Sequence, residues 1–510
     1  MAMTYKHGTY GEFANSIAKA ATQAVTIPVY IGTAPVNLVR GYADGKAINT
    51  PVLLRTFDGA AQSIGYSADW ASFTLGEAVK AHFDNPAGNV GPIVAINVLD
   101  PVKHKKAGEA TTAQLTFANG RATIESDTII LDTLVLAEKV EGVDFSVDYD
   151  YDSGLVIIDS IGEEKISGSV KATYSEVDPS LVTEEDIIGG VTAGGEYSGL
   201  GAVALVYPEL WLIPNLIAAP GWSDKPAVYS AMIGAGTKIN GHWDAFVVAD
   251  IPLKNSTAKA GRATVGESKL GDGDPVDTIS AAIEWAEENG YNSERSKVCW
   301  PQAMGTDGNI YRLSTLTVWK MQAVDASHDG IPMETPSNKA VPITRQYFGE
   351  DSKNRGFDQQ QGNDLNAAGI STAVFWGGQW VLWGGHTAAY QFGKVTDNRV
   401  IFDNSIRMMM HITNSFQEEH ALTIDQPMTK ALADTIRNRE QEKADALAAV
   451  GALIGAPEVR FDEDANSTAE LVEGNFVWDF SATPTPQFKS GTLRVAYTDA
   501  GFDSYFGEEA

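Results

Sequence analysis

The sequence predicts a multidomain α+β / α/β protein with an all-β segment set into it, and three observations lead there. Near the start, strand-like Val25–Ile31, a stretch of helical spacing over Trp70–Phe83 and the continuous apolar run Pro92–Leu99 give strand, helix and buried strand in order. From about Lys103 to Gly190 the texture changes to short alternating strands between acidic turns. At Leu205 the α/β character returns.

Residues 1–24 hold a Tyr/His/Lys segment and an Ala-rich stretch with little to pack, and Gly32 closes the first strand. In the Trp70–Phe83 stretch, Phe73, Leu75, Ala78, Val79 and His82 give the helical spacing. The β-rich segment is expected to use strands at Ala113–Phe117, Thr128–Ala137, Phe145–Asp148, Gly154–Ile158 and Ser169–Tyr174. Gly194–Gly201 lacks phosphate-loop spacing and reads as a hinge. Beyond it come a buried strand and turn over Leu210–Gly221, a helix over Lys225–Gly234 and a strand over Asp244–Pro252. A helix over Pro275–Asn289 has Asp274 as its expected N-cap, Pro275 at its first position and Gly290 as stop. The Gly/Trp-rich Trp376–Gly385 precedes helices at about Phe402–Glu419 and Met428–Leu453. Last comes Gly491–Thr498, where Leu493, Val495 and Tyr497 alternate with Arg494, Ala496 and Thr498. A lone strand at a chain end must find a sheet, in its own molecule or in another copy.

At 510 residues the chain has room for about three domains. It carries 66 acidic and 37 basic residues, a formal net charge of −29. That charge disfavours nucleic acid and anionic membrane surfaces as partners. No apolar run reaches the roughly 20 residues that span a bilayer, and the start lacks a signal pattern, so folding in a cytoplasm is expected. The one cysteine, Cys299, excludes a disulfide within one chain and reads as a core thiol.

Catalytic constellations are hard to find. There is no G-x-x-x-x-G-K-[ST], no G-x-G-x-x-G after a strand and no H-E-x-x-H. His411 and His420 lie nine apart on one helix, and histidines in packing or surface roles are the simpler reading. Asp272, Asp274 and Asp277 suit a helix start better than a cation site, and Asp462–Asp464 suits a solvated turn. Trp alternating with Gly over 376–385 could stack on a sugar or base, but it also describes a tightly packed hairpin, the favoured reading. In the helix from Met428, apolar positions at Leu432 and Ile436 resume only at Leu447, Val450 and Leu453. The stretch Arg437–Lys443 between them reads as polar on all sides, either solvated or facing a polar partner.

Several segments in this order resemble the contractile-tail sheath proteins of bacteriophages and related injection particles: Pro28–Pro35, Leu75–Phe83 with the strand after it, Ile217–Gly221, Asp250–Pro252, Asp329–Asn338, the two-helix block ending Val450–Leu453, and Thr483–Pro486. The resemblance covers most of the chain outside roughly 103–200, where such proteins carry variable outward-facing insertions. It implies a non-enzymatic structural subunit that needs no cofactor or metal. Such subunits form stacked six-fold rings around a tail tube and contract to drive the tube through a cell envelope.

The implied partners are other copies of the chain, the tail tube protein, and baseplate and tail terminator proteins, with no direct nucleic acid and no membrane insertion. The implied location is a virion tail assembled in the host bacterial cytoplasm. The resemblance divides the chain into an N-terminal arm (1–24), a first part of the sheath core (25–102), the β-rich outward-facing insertion (103–200) and a sheath domain (201–370). A C-terminal domain facing the tube (371–489) and a C-terminal arm (490–510) complete it. The arms would add strands to a neighbour's sheet, through Thr4, Tyr5 and Tyr10 at one end and Thr492, Leu493, Val495 and Tyr497 at the other. Arg437, Arg439, Glu440 and Lys443 would form the tube-facing helix. The competing expectation, from another class, is a monomeric carbohydrate-binding surface or virion protein using the β-rich insertion.

Overall fold

A computed structural model describes residues 26–42, 47–255, 270 and 273–505. Thr4, Tyr5 and Tyr10 of the expected N-terminal arm, Asp272 and the last five residues lie outside the described residues.

The chain opens with β1 (Pro28–Gly32), β2 (Pro51–Leu54), α1 (Phe57–Ile64), α2 (Leu75–Phe83) and β3 (Ile93–Asn97). A β-rich stretch follows: β4 (Thr111–Phe117), β5 (Arg121–Glu125), β6 (Val135–Leu136), β7 (Phe145–Asp150), β8 (Leu155–Ser160) and β9 (Gly168–Tyr174). Next come α3 (Glu184–Ile188), β10 (Gly190–Val191), β11 (Tyr197–Ser198) and α4 (Val206–Leu210). The alternating pattern resumes with β12 (Leu216–Ala218), α5 (Pro226–Ala235), β13 (Phe246–Asp250), α6 (Ile279–Glu288) and β14 (Ser296–Cys299). After β15 (Gln302–Gly305) and β16 (Ile310–Tyr311) come α7 (Leu313–Ala326), β17 (Ile343–Tyr347), α8 (Gln359–Ala367), β18 (Ile370–Trp376) and β19 (Gln379–Trp383). The C-terminal part holds α9 (Asp403–His420), α10 (Lys430–Ala449), β20 (Leu453–Arg460), α11 (Thr468–Glu473) and β21 (Asp479–Pro484).

An eight-stranded sheet in the order β19-β18-β14-β13-β12-β1-β3-β2 organises the molecule. Its six inner strands are parallel, and β19 and β2 run antiparallel at the edges. Every residue of β1, β3, β13 and β14 is buried, as expected of a sheet covered on both faces, although β14 brings the charged Lys297 inside with it. Trp285, Trp300 and Trp319 are among the largest side chains sealed in the core. Cys299 is buried there beside Thr317, and burial pushes its thiol up to about 12.

Past the carboxyl end of β12, where open α/β sheets commonly hold ligands, Arg312 and Glu77 occupy the space beside Gly221. Arg312 donates through its backbone N–H to Glu77 Oε1 (2.6 Å) and through Nη1 to Oε2 (2.5 Å). A Cβ on Gly221, which has φ +76°, would come within 2.8 Å of the same guanidinium.

The β-rich stretch forms two three-stranded antiparallel sheets, β4-β9-β6 and β5-β8-β7, around a separate apolar cluster that includes Leu115, Phe117, Leu136, Phe145, Val156 and Ile158. Its entry and exit lie side by side: Lys105 bridges Val177, and the Lys106 N–H donates to the Glu176 carbonyl at 2.8 Å.

Three sequence expectations are corrected, and one strand was missed. Thr128–Ala137 is not one strand but a 3₁₀ turn at Leu131–Thr133 followed by the two-residue β6; the Thr133 hydroxyl donates to the Ile130 carbonyl at 2.7 Å and bends the chain. Strand β5 was not anticipated. The helix expected from Pro275 begins at Ile279, with Thr278 accepting from Ala281 N as its cap. Val276 is fully buried and its N–H donates to the Leu253 carbonyl, so the chain at 275–277 runs extended past Leu253 with Val276 in the core. The glycine-rich 194–201 is no free hinge; its first half turns the β10–β11 hairpin, with Gly195 N–H donating to the Thr192 carbonyl.

Candidate assembly interface

The C-terminal part places the residues singled out from the sequence. Helix α10 starts at Thr429, whose hydroxyl accepts from Leu432 N, and buries Ala433, Ile436, Glu440 and Ala444. Those positions are three and four apart, so the buried stripe runs unbroken through the segment read as polar all round. Glu440 keeps its place in the stripe because it is paired there. His420 Nε2 lies 2.7 Å and Lys443 Nζ 2.8 Å from Glu440 Oε1, and Lys443 also reaches Glu419 at 3.3 Å. Burial pushes the Glu440 carboxyl up, but the bonds from His420 and Lys443 outweigh it and hold the group below its ordinary range. Glu440 therefore binds α10 to α9, and Lys443 is half engaged in the same cluster. Arg439 is exposed, and Arg437 is partly exposed with Asn438 Oδ1 at 2.9 Å.

Strands β20 and β21 form a two-stranded antiparallel sheet that packs Leu453 and Phe480 toward α9 and α10. Opposite Thr483 and Ser481 stand Ile454 and Glu458, so Gly455–Pro457 bulge out of β20. Its two outer edges differ. On β20, Pro457 has no N–H to offer, and Gln441 of α10 occupies two further positions: Val459 N–H donates to its Oε1 at 2.9 Å, and its Nε2 donates to the Pro457 carbonyl at 3.0 Å. On β21, Phe480 and Ala482 alternate with the residues that face β20, and their outward backbone groups have no partner among the described residues. Gln441 was not singled out from the sequence; Gly455 and Pro457 inside a strand-like run were the available sign of an edge.

After β21 the Thr485 N–H donates to the Ala452 carbonyl at 3.0 Å, and past Lys489 the chain runs without strand pairing among the described residues. Leu493, Val495 and Tyr497 are 87%, 83% and 83% exposed, and Thr492 is exposed too. A short 3₁₀ turn over Ala500–Tyr505 follows.

Elsewhere, Trp376–Gly385 spans the turn and second strand of the β18–β19 hairpin. Gly377 and Gly378 turn it at φ +60° and +83°, as a tight two-residue turn demands. Phe375 stacks edge-on against Trp380 at 5.8 Å, and Trp376 lies 6.2 Å from Trp383. Asp277 accepts from Ser352 Oγ at 2.6 Å, tying down a loop. The Asp462 carboxylate accepts from Ala465 N within an exposed turn. His411 is not drawn to His420; burial pushes it down to about 4. Among the described residues no group of three His, Cys, Asp or Glu is placed to hold a metal, and no helix is long and apolar enough to cross a membrane.

No family model matches the chain. It is 27% identical over 515 residues to a tail sheath protein of Burkholderia phage BcepMu, with 98% of each chain covered. It is 22% identical over 365 residues to a major tail sheath protein of Serratia phage KSP20, covering 70% of this chain and 81% of that one. Among solved structures, a chain of the extracellular contractile injection system PVC sheath complex in its contracted state aligns with a TM-score of 0.53 at 12% identity, over 98% of this chain and 100% of that one. A chain of the anti-feeding prophage baseplate aligns with a TM-score of 0.52 at 12% identity, over 97% and 100%. At such identities the structural likeness speaks for the fold.

Proposed function

We propose that this chain, similar along 98% of its length to a phage tail sheath protein, is a contractile tail sheath subunit that polymerises as stacked six-fold rings around a tail tube and contracts to drive the tube through a cell envelope. In this reading residues 25–102 and 201–370 are the sheath body, 103–200 faces outward, 371–489 faces the tube, and 1–24 and 490–510 are linking arms. The other partners are the tube, baseplate and terminator proteins. The chain works in a virion tail, is assembled in the host cytoplasm, and carries out no catalysis.

The observation that carries the reading is a complementary pair within one chain: an open strand edge on β21 and an exposed, alternating segment at Thr492–Thr498 with no strand partner of its own among the described residues. A strand laid along β21 can bond the N–H and C=O of Phe480 and Ala482, about 2–6 kcal/mol for four bonds at about 0.5–1.5 kcal/mol each. Burying Leu493, Val495 and Tyr497 adds roughly 1.5–3 kcal/mol per large side chain. Each subunit gives and receives, so these modest terms recur at every lattice point. Bodies can rotate while the arms keep them joined.

The experiment is truncation. Removing residues 1–20, or ending the chain after Ser490, is expected to leave a folded protein that forms no tubular polymer. Electron micrographs of normal sheaths from either truncation overturn the proposal. A protein that stays monomeric at high concentration and binds glycans would instead restore the reading as a carbohydrate-binding surface protein.

A further inference from the structure

The C-terminal arm does not simply trail from β21. Asp403, the first residue of α9, is fully buried, and its carboxylate gathers four groups: Lys297 Nζ on Oδ2 at 2.9 Å, Thr335 Oγ1 on Oδ2 at 3.0 Å, its neighbour Asn404 N–H on Oδ1 at 2.6 Å, and Gln487 Nε2 on Oδ1 at 3.1 Å. Lys297 belongs to β14 and is itself buried; its remaining contacts are Ser371 Oγ and the carbonyls of Gly384 and His386, at 3.0, 2.7 and 3.1 Å. Gln487 also donates to Asn404 Oδ1 at 2.9 Å, and its amide lies so close to Gly385 that a Cβ there would overlap its Oε1. Two residues on, Lys489 Nζ lies 3.3 Å from the Tyr390 hydroxyl and 5.3 Å from that ring's centre, and Tyr390 stacks flat on His386.

We propose that Lys297, Asp403 and Gln487 form a clamp that fixes the root of the C-terminal arm to the parallel sheet, so that the free arm begins at Ser490. The inference rests on the linking role given above and names the residues that position the arm. A buried ion pair already satisfied by the body holds one outward acceptor for a side chain of the arm, and hydrogen bonds to a charged acceptor are the stronger kind. Upstream of Gln487 the next fixed point is Thr485, bonded to the Gly451 and Ala452 carbonyls. Opening the clamp thus adds residues 486–489 to the arm, a gain in reach of about 13 Å. Tension on an arm held this way passes from Gln487 to Asp403, Lys297 and β14, and the body turns with its arm.

The test uses the full-length chain with Gln487→Leu, which leaves Asp403 its bonds to Lys297, Thr335 and Asn404. In dilute, unassembled protein, trypsin cleavage after Lys489 is measured against cleavage after Arg494, each relative to the unfolded chain. The ratio is expected to rise about tenfold or more in the variant, with tube-free polymers of the variant losing helical order in cryo-electron micrographs. An unchanged ratio overturns the clamp. A raised ratio with polymers as ordered as the parent's overturns its positioning role. If the chain ended after Ser490 polymerises normally, it is the linking role that fails, while the trypsin ratio still reports the clamp alone.

Discussion

Ser314 donates twice to Asp250, from its backbone N–H at 2.9 Å and from Oγ at 2.5 Å. Burial nevertheless pushes the Asp250 carboxyl up to about 7, against the pull of those bonds; Glu77 adds to the rise and Arg312 opposes it. Between pH 4 and 7, approximately, the folded chain holds a proton on Asp250 that the unfolded chain has released. This residue's contribution to stability therefore falls as pH rises across that window and levels off above it. Asp250→Asn keeps the shape and cannot ionise. Its stability relative to the parent is expected to increase, by a few kcal/mol at most, between pH 4.5 and 8. Urea unfolding at both pH values measures this, and an equal difference at the two would refute it.

Gln441 does for β20 what a neighbouring strand would do. Gln441→Ala removes two hydrogen bonds and frees an edge that the fold keeps closed. The expected cost is about 1–3 kcal/mol, together with faster amide exchange at Val459 and polymers of mixed register. Exchange at Val459 that matches the parent would show that Gln441 does not guard this edge in solution.

Arg439 is exposed and Arg437, beside Asp434 and Asn438, is partly so, whereas Lys443 is committed to Glu440 and Glu419. The double change Arg437→Glu and Arg439→Glu is expected to weaken decoration of tubes while tube-free polymers still form. Stability should move by no more than about 0.5 kcal/mol, as for exposed positions. Co-sedimentation with tubes is the measurement, and undiminished decoration would remove these arginines from the interface. Including Lys443 would confuse the result by breaking the α9–α10 contact.

Much of the body could be read from sequence because its signals are local. The runs that became β1, β3 and β13 are apolar without interruption, and only a strand covered on both faces asks for that. Both long C-terminal helices were found within a few residues of their ends, and the hairpin at 376–385 followed from its alternation of Trp with Gly. What escaped depends on distant partners. Asp274 looks like a cap until the burial of Val276 straightens the chain beneath it. Glu440 looks solvated because one of the two side chains that bond it, His420, sits twenty positions earlier on another helix. The same holds for edges: nothing near Gln441 or Gln487 distinguishes an amide that closes a strand, or clasps a chain end, from one in water.

The neighbouring entry and exit of the β-rich stretch carry a consequence of their own. Because Lys105 and Val177 already touch, the chain between them is a closed detour that leaves and rejoins the body at one place. Lineages could enlarge or trade the outer part of that lobe so long as Asn37, Arg40 and Ser67 keep their bonds to its near side, at Asp127, Ile129 and Leu131.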